Sequence, residues 1–332
     1  MKPKSNRTRT AVLILIYVAS LVSLVWTLRD AGLGQLWDDV KHLSPAWMLL
    51  GVASMLSVYF VQGVRWSLIL APIGKLPFLK GARAVFVGLF ASEVFPFRAG
   101  EIIRCYLVSR WIELPFSVTL ASILIERLFD GLMMWLGIQY ALRAVAVPRS
   151  QQIAANSLGL IVLAGFVILG IALFRPRLKH SDMPAGGWRK RWFVLQEDLA
   201  LIGHSWYLWA ALLATVPYLL LQVVPVFLLF REYDLDLSFG TALALMMLIR
   251  IAAALPQAPA TLGLFQLLTR EFLVLGFGVP SNQAARYSLV LWATIKIPLL
   301  IAGAISVAIT GTKVSELTKA ATGAHHDAHR SS

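Results

Sequence analysis

Seven ionisable residues stand in this chain where the surrounding sequence offers them little water. Three fall within Phe95-Pro96-Phe97-Arg98-Ala99-Gly100-Glu101-Ile102-Ile103-Arg104. Pro96 and Gly100 break an apolar run, and a helix restarting after them presents unpaired backbone N–H groups at its first turn. Such a terminus attracts anions, and arginine grips a phosphate through two parallel hydrogen bonds. Arg98 and Arg104 are therefore candidate ligands for a lipid phosphate, with Glu101 orienting one of them. A cytoplasmic-edge turn whose charges merely pair and snorkel would use the same residues.

Glu126, Arg127 and Asp130 lie midway along the run from Phe116 to Leu142. Glu126 and Asp130 are four apart and share a helix face, and Arg127 lies three before Asp130. An ionised group at the bilayer centre costs about 2.5–3.5 kcal/mol on insertion scales, so such residues turn inward and pair. The set reads either as a translocation or proton-coupled site or as an ion cluster that fixes helix packing. Lys296, between Thr294 and Pro298 in the last apolar run, also needs a partner, and Glu126 or Asp130 is the one expected. Arg250, Arg270 and Glu271 could line the same cavity. All seven residues are read as substrate-binding; no catalytic residue is assigned.

The elements that must carry these charges are membrane helices. Of 332 residues, 58% are hydrophobic and 14% charged, against about 25% charged in soluble domains. Full-length apolar stretches occur near Ala11–Leu28, Ala46–Leu70, Phe116–Leu142, Ile153–Phe174, Trp206–Phe230 and Ala284–Thr310. Each can cross a hydrocarbon core of about 30 Å. The first follows a basic arm (Lys2, Lys4, Arg7, Arg9) and exceeds a cleavable signal core, so it reads as a retained helix.

Two further apolar regions are broken, Gly81–Trp111 at Pro96–Glu101 and Phe239–Gly278 at Pro256–Gly263. Irregular backbone cannot face lipid, so each reads as a re-entrant helical hairpin. The expected fold is all-α: a polytopic membrane protein with about six full spans, two re-entrant hairpins and an inverted-topology repeat. One transmembrane domain covers 1–332, with a helical core of about 10–312 and a disordered cytoplasmic tail at 313–332.

Lysines and arginines cluster after the second and fourth spans, while the loop after the fifth is net acidic. This places both termini in the cytoplasm; Arg143 and Arg149 fall on the wrong side. The net charge of +13 would suggest nucleic acid in a soluble protein. Here the basic residues adjoin apolar runs and suit anionic lipid heads, the basic loop with Trp188 and Trp192 included. No nucleic-acid partner is expected. The lone cysteine, Cys105, excludes an internal disulfide and reads as a small buried residue. His325, His326 and His329 belong to the polar tail. No GxSxG, Walker A, HExxH or dinucleotide pattern occurs, so no cofactor or metal is expected.

Taken together, Phe97-Arg98-Ala99-Gly100-Glu101 with Arg104, Glu126-Arg127 with Asp130, and the Pro256–Gly263 turn followed by Phe265-Gln266 resemble the lysylphosphatidylglycerol synthase transmembrane-region family. The resemblance runs from about Arg9 to Thr312. It implies a flippase-like integral protein of the prokaryotic cytoplasmic membrane that moves a lipid between leaflets or accompanies lipid-modifying enzymes. The lysine-transferring soluble domain of the named synthases has no counterpart after the last helix, so aminoacyl transfer is not implied. The expected substrate is an anionic phospholipid or a polyprenyl-phosphate-type lipid, and the expected protein partner a lipid-biosynthesis enzyme. Two other roles fit the residues. One is a head-group transferase with Glu126 or Asp130 as general base; the other is an accessory subunit of a lipid-modifying enzyme.

Overall fold

The computed structural model describes residues 5–94, 100–144, 149–173, 187–254 and 259–311, and among these there are helices and turns but no strand. In chain order they are α1 (Ser5–Ala31), α2 (Leu33–His42), α3 (Pro45–Leu70), α4 (Phe78–Val94), α5 (Gly100–Trp111) and α6 (Phe116–Ala144). After these come α7 (Arg149–Leu173), α8 (Gly187–Gly203), α9 (Trp206–Glu232) and α10 (Phe239–Ala254). A 3-10 turn at Pro259–Thr261, α11 (Leu264–Phe277) and α12 (Ser281–Thr310) complete the order.

Helix starts follow the punctuation of the chain. Ser44 accepts the Trp47 N–H at 3.5 Å, and Pro45 takes the first helical position, where a missing N–H costs nothing. Ser205 and Ser238 cap α9 and α10 in the same way, at 3.3 and 3.1 Å. Gly263 begins α11 and donates its N–H to the Gln266 side chain at 2.7 Å. Its φ is +86°, and a Cβ there would lie 2.0 Å from the Ser20 carbonyl oxygen of α1, so the position admits glycine alone.

Helices α3, α9 and α12 are long and apolar enough to cross a membrane. The 26 residues of α3 reach about 39 Å at 1.5 Å each. Helices α1, α6 and α7 are similarly long, at 27, 29 and 25 residues. Large apolar side chains face outward: Leu49 and Leu213 are 71% exposed and Leu275 80%. A surface of this kind belongs against lipid, not water. The protein is an all-helical, multi-pass membrane protein.

Both broken regions are pairs of short helices, α4 with α5 and α10 with α11, as their Pro and Gly content predicts. The turn residues 95–99, Arg98 among them, and 255–258 lie outside the described residues, as do 312–332 with the tail histidines and the side chains of Trp188 and Trp192. Helices α2 and α8 occupy segments that read as loops when only their charges are counted. Their apolar spacing explains the helices: Leu33, Leu36, Trp37 and Val40 in α2, and Trp188, Trp192, Leu195, Leu199 and Ile202 in α8, each recur at helical period.

The chain packs into two compact units. The first comprises Met1–Met55, Ser92–Arg98 and Gln222–Ile301; the second comprises Leu56–Ala91, Ala99–Leu221 and Ala302–Ser332. Within the first, α11 packs on α1 and α10. Tyr287 of α12 stacks on Phe230 of α9 at 5.4 Å and donates its hydroxyl to the Val226 carbonyl at 2.9 Å.

Within the second unit, α6 packs against α5, α7 and α8, around a core that includes Ile69, Ile125, Phe129, Leu173 and Ile202. Helices α3 and α4 cross backbone to backbone. A Cβ on Gly63 would lie 2.3 Å from the Ala82 Cα and N, and one on Gly81 would lie 2.4 Å from Ser67 Oγ. Small residues at such crossings give membrane helices the close contact that water would otherwise drive. Helix α4 meets α5 in the same manner at Gly88, where a Cβ would stand 2.8 Å from the Gly100 carbonyl oxygen and 3.0 Å from Arg104 Cβ. These crossings are what position the charges of the second unit.

Candidate functional site

The second unit holds a buried ion network built on α3, α5 and α6. Glu126 sits at its centre with both carboxylate oxygens engaged: Oε1 accepts Arg65 Nη2 at 3.2 Å and Oε2 accepts Arg104 Nη2 at 2.7 Å. Asp130, one turn further along α6, accepts Arg65 Nη1 at 2.6 Å. All four side chains are buried, and their formal charges sum to zero. This balance is what permits full charges in a membrane interior, because an unmatched ion there is far more costly than a pair.

Aromatic faces cover the guanidinium groups. Arg65 lies over Tyr218 at 4.6 Å and Arg104 over Trp66 at 4.8 Å, an arrangement that stabilises a desolvated cation. Trp66 is itself fixed by donating to Ser122 Oγ at 2.8 Å. Two donors stay unspent: Arg65 Nε and Arg104 Nη1 have no hydrogen-bond partner among the described residues. Buried guanidinium N–H groups normally find acceptors, so these two are disposed to take an anionic oxygen.

The network opens outward through Arg127 and Glu101. Arg127 Nη1 lies 3.3 Å from Asp130 Oδ2, and its Nε 3.5 Å from Glu101 Oε1. Both side chains are nearly half-exposed. Glu101 occupies the first turn of α5, where a carboxylate suits the positive end of the helix dipole. Of the residues the sequence singled out, Glu101, Arg104, Glu126, Arg127 and Asp130 are thus brought together, while Arg98 lies outside the described residues.

Lys296 of α12 has a carboxylate partner on α4. Its Nζ stands 2.5 Å from Glu93 Oε1, near the end of α4, and both side chains are almost fully buried. Arg250 donates to Gln222 Oε1 at 2.7 Å. Arg270 pairs with Asp30 at 2.5 Å and with its neighbour Glu271, donates to Ser281 Oγ at 2.6 Å, and lies over Trp26 at 4.6 Å. The contacts of Arg270 join α1, α11 and α12. The second hairpin is strained at its turn, where Ala260 and Thr261 have φ of 55° and 57°. Such values are rare for a β-branched residue; the Trp292 N–H holds the turn by donating to the Ala260 carbonyl at 2.8 Å.

Two principal members escaped the sequence reading, Arg65 and Glu93. Both carried the signal that marked the others, an ionisable residue inside an apolar stretch. Arg65 follows Gln62 and Gly63 in a segment that reads as a plain span, and Glu93 ends a helix whose turn drew attention to Arg98.

Helices of this length and apolarity, with balanced, buried charge at the core of one unit, define a polytopic membrane protein. More specifically, the chain belongs to the lysylphosphatidylglycerol synthase TM region family, whose profile matches residues 11–303. It is 36% identical over 133 residues to the glycosyltransferase AglD of Haloferax volcanii, covering 39% of this chain and 21% of that protein. It is 29% identical over 129 residues to a UPF0104 membrane protein of Methanothermobacter thermautotrophicus, covering 38% of this chain and 36% of the relative. A UPF0104 membrane protein of Methanocaldococcus jannaschii is 23% identical over 130 residues, 38% of each chain. The chain thus spans between 21% and 38% of the length of these curated relatives.

Proposed function

We propose that this protein moves an anionic, phosphate-bearing lipid between the leaflets of a prokaryotic cytoplasmic membrane. The observation that carries the reading is the pair of buried arginines with unspent donors, Arg65 Nε on α3 and Arg104 Nη1 near the start of α5. A fully satisfied ion cluster would suffice to hold helices together. Unspent N–H groups beside a helix N-terminus suit a phosphate oxygen. Arg127 and Glu101, open to the surroundings, form the approach to it. Arg98, next to the same turn in sequence, adds a further cation for the head group, and Lys296 with Glu93 supplies a second polar station in the other unit.

The architecture fits alternating access. The order long helix, amphipathic helix, long helix, short pair, long helix occurs twice, as α1–α6 and as α7–α12. Six spans with two re-entrant hairpins and cytoplasmic termini would make these halves an inverted-topology repeat, a plan suited to transporters whose sites use broken helices.

Reconstitution into vesicles with a labelled anionic phospholipid in one leaflet tests the reading. Wild-type protein accelerates leaflet exchange, and Arg104→Gln lowers the rate about tenfold or more, the equivalent of one charge-assisted hydrogen bond. Exchange in wild-type vesicles no faster than in protein-free ones would refute it.

A second reading draws on the similarity to AglD, named a glycosyltransferase. A membrane region shared with such a protein could present a lipid to a head-group transferase as its accessory subunit. It predicts co-purification with that enzyme and unchanged leaflet exchange.

A further inference from the structure

Four of the ten buried side-chain nitrogen and oxygen atoms without a hydrogen-bond partner among the described residues fall within residues 261–270. They are Thr261 Oγ1, Gln266 Nε2, Thr269 Oγ1 and Arg270 Nε. Folded interiors leave few polar atoms unpaired, so a cluster of them points to a ligand. The amide and guanidinium nitrogens can only donate, and each hydroxyl carries one proton to give. The partner they suit is an acceptor.

Helix α11 gathers these donors. Gln266, Thr269 and Arg270 follow the i, i+3, i+4 spacing of one helix face, and all three are buried. Arg270 turns that face toward α1, where it meets Asp30 and Trp26. The Gln266 side chain folds back to the start of the helix. Its Oε1 accepts the Gly263 N–H at 2.7 Å, which holds Nε2 of the same amide group at the first turn.

The backbone adds to the set. Gly263 has no side chain with which to cap α11, and the Leu267 N–H is the first to bond back, to the Gly263 carbonyl at 2.9 Å. The N–H groups of residues 264–266 have no acceptor within the helix. They lie at the positive end of the α11 dipole, beside an amide that donates and cannot compete for them.

The nearby charges narrow the ligand further. Asp30 and Glu271 both engage Arg270, so these three groups sum to −1. Neutral N–H and O–H donors must therefore hold the ligand, as they do where helix N-termini bind phosphate. The surplus carboxylate repels a second negative charge and favours a monoanion.

We infer that the first turn of α11 is a second phosphate site, which receives the oxygens of a monoanionic phosphate on the Gln266 amide, the Thr261 and Thr269 hydroxyls and the free backbone N–H groups. Each unit then has one such site near the start of the second helix of its broken pair, at Arg104 on α5 and at Gln266 on α11. A lipid phosphodiester and free inorganic phosphate share this chemistry. Binding here does not require that lipid be moved, so failure of the leaflet-exchange assay would leave the site standing.

Titration calorimetry on the delipidated full chain in dodecyl maltoside micelles tests it, with dihexanoyl phosphatidylglycerol, inorganic phosphate and phosphate-free dihexanoylglycerol as probes. Phosphatidylglycerol is expected to fill two sites in the wild type. Gln266→Glu keeps an oxygen for the Gly263 N–H and replaces the donating amide nitrogen by an anionic oxygen. It is expected to weaken one site at least about tenfold. Thr269→Val keeps the side-chain shape and is expected to weaken the same site about fivefold. Its Tm in lipid-free detergent should equal or exceed that of the wild type, because the substitution deletes a buried, unpaired hydroxyl. Displacement of the lipid from this site by millimolar inorganic phosphate would assign the free anion as occupant, and retention of the lipid would assign the head group; either supports the site. Dihexanoylglycerol binding as tightly as phosphatidylglycerol would overturn it, as would undiminished binding in both variants. A lowered Tm of lipid-free Thr269→Val would do the same, since it would mean that the hydroxyl is already engaged within the protein.

Discussion

Replacing Glu126 by glutamine removes one negative charge from a quartet that sums to zero and takes from Arg104 the carboxylate it pairs with, while Arg65 keeps Asp130. Glu126 accepts from Arg65 at 3.2 Å and from Arg104 at 2.7 Å, and all three side chains are buried. Leaving a buried charge uncompensated costs about 3–5 kcal/mol, much more than the intact pair contributes relative to a neutral substitute. Arg104→Gln alone creates the opposite imbalance and is expected to cost a similar amount. The double variant restores neutrality, since Arg65 and Asp130 keep their 2.6 Å contact and the two amides can hydrogen-bond each other. Its total cost is therefore expected at about 2–4 kcal/mol, below the sum of the singles by at least about 2 kcal/mol. Unfolding by denaturing detergent in mixed micelles, followed by circular dichroism, measures all four corners of this cycle. Additivity within about 0.5 kcal/mol would refute the reasoning, as would a Glu126→Gln cost under about 1 kcal/mol, because either result means the charges are individually solvated.

Gly63→Ala should be destabilising despite the roughly 1 kcal/mol that alanine gains over glycine in a helix. The added carbon would lie 2.3 Å from the Ala82 backbone, so α3 and α4 must separate, at a net cost of about 1–3 kcal/mol. Arg65 is two residues along the same helix, so leaflet exchange should fall as well; unchanged stability in the same micelle assay would contradict the crossing. Asp198, on α8 outside the expected spans, has its carboxyl pushed up to about 6 by burial and by the neighbouring Glu197. The folded state therefore keeps a proton that the unfolded chain loses near the ordinary value of 3.8, and stability contributed at low pH is lost as pH rises from there to about 6. Asp198→Asn should raise stability at pH 7.5 by about 1 kcal/mol, discounted because the side chain is partly open to water, and change nothing at pH 3.5. Equal effects at both pH values would exclude the titration as the cause.

Much of this molecule is written locally. Long apolar runs can only be membrane helices, because a backbone in hydrocarbon must satisfy its own hydrogen bonds. Proline and glycine interrupt two of them for steric reasons that need no tertiary context. The grouping of Glu126 and Asp130 on one face follows from helical period alone. What period and composition could not supply was partnership. Arg65 is 61 residues from Glu126, and Glu93 is 203 from Lys296. Which cation meets which carboxylate depends on how closely the helices cross. At Gly63, Gly81 and Gly88 the missing side chains let α3, α4 and α5 approach to backbone contact. That close packing brings Arg65 and Arg104 to the two oxygens of Glu126. Sequence determined that charge lies within the membrane; tertiary structure decided its pairing, because Coulomb attraction in a poor dielectric rewards only groups brought within a few ångströms.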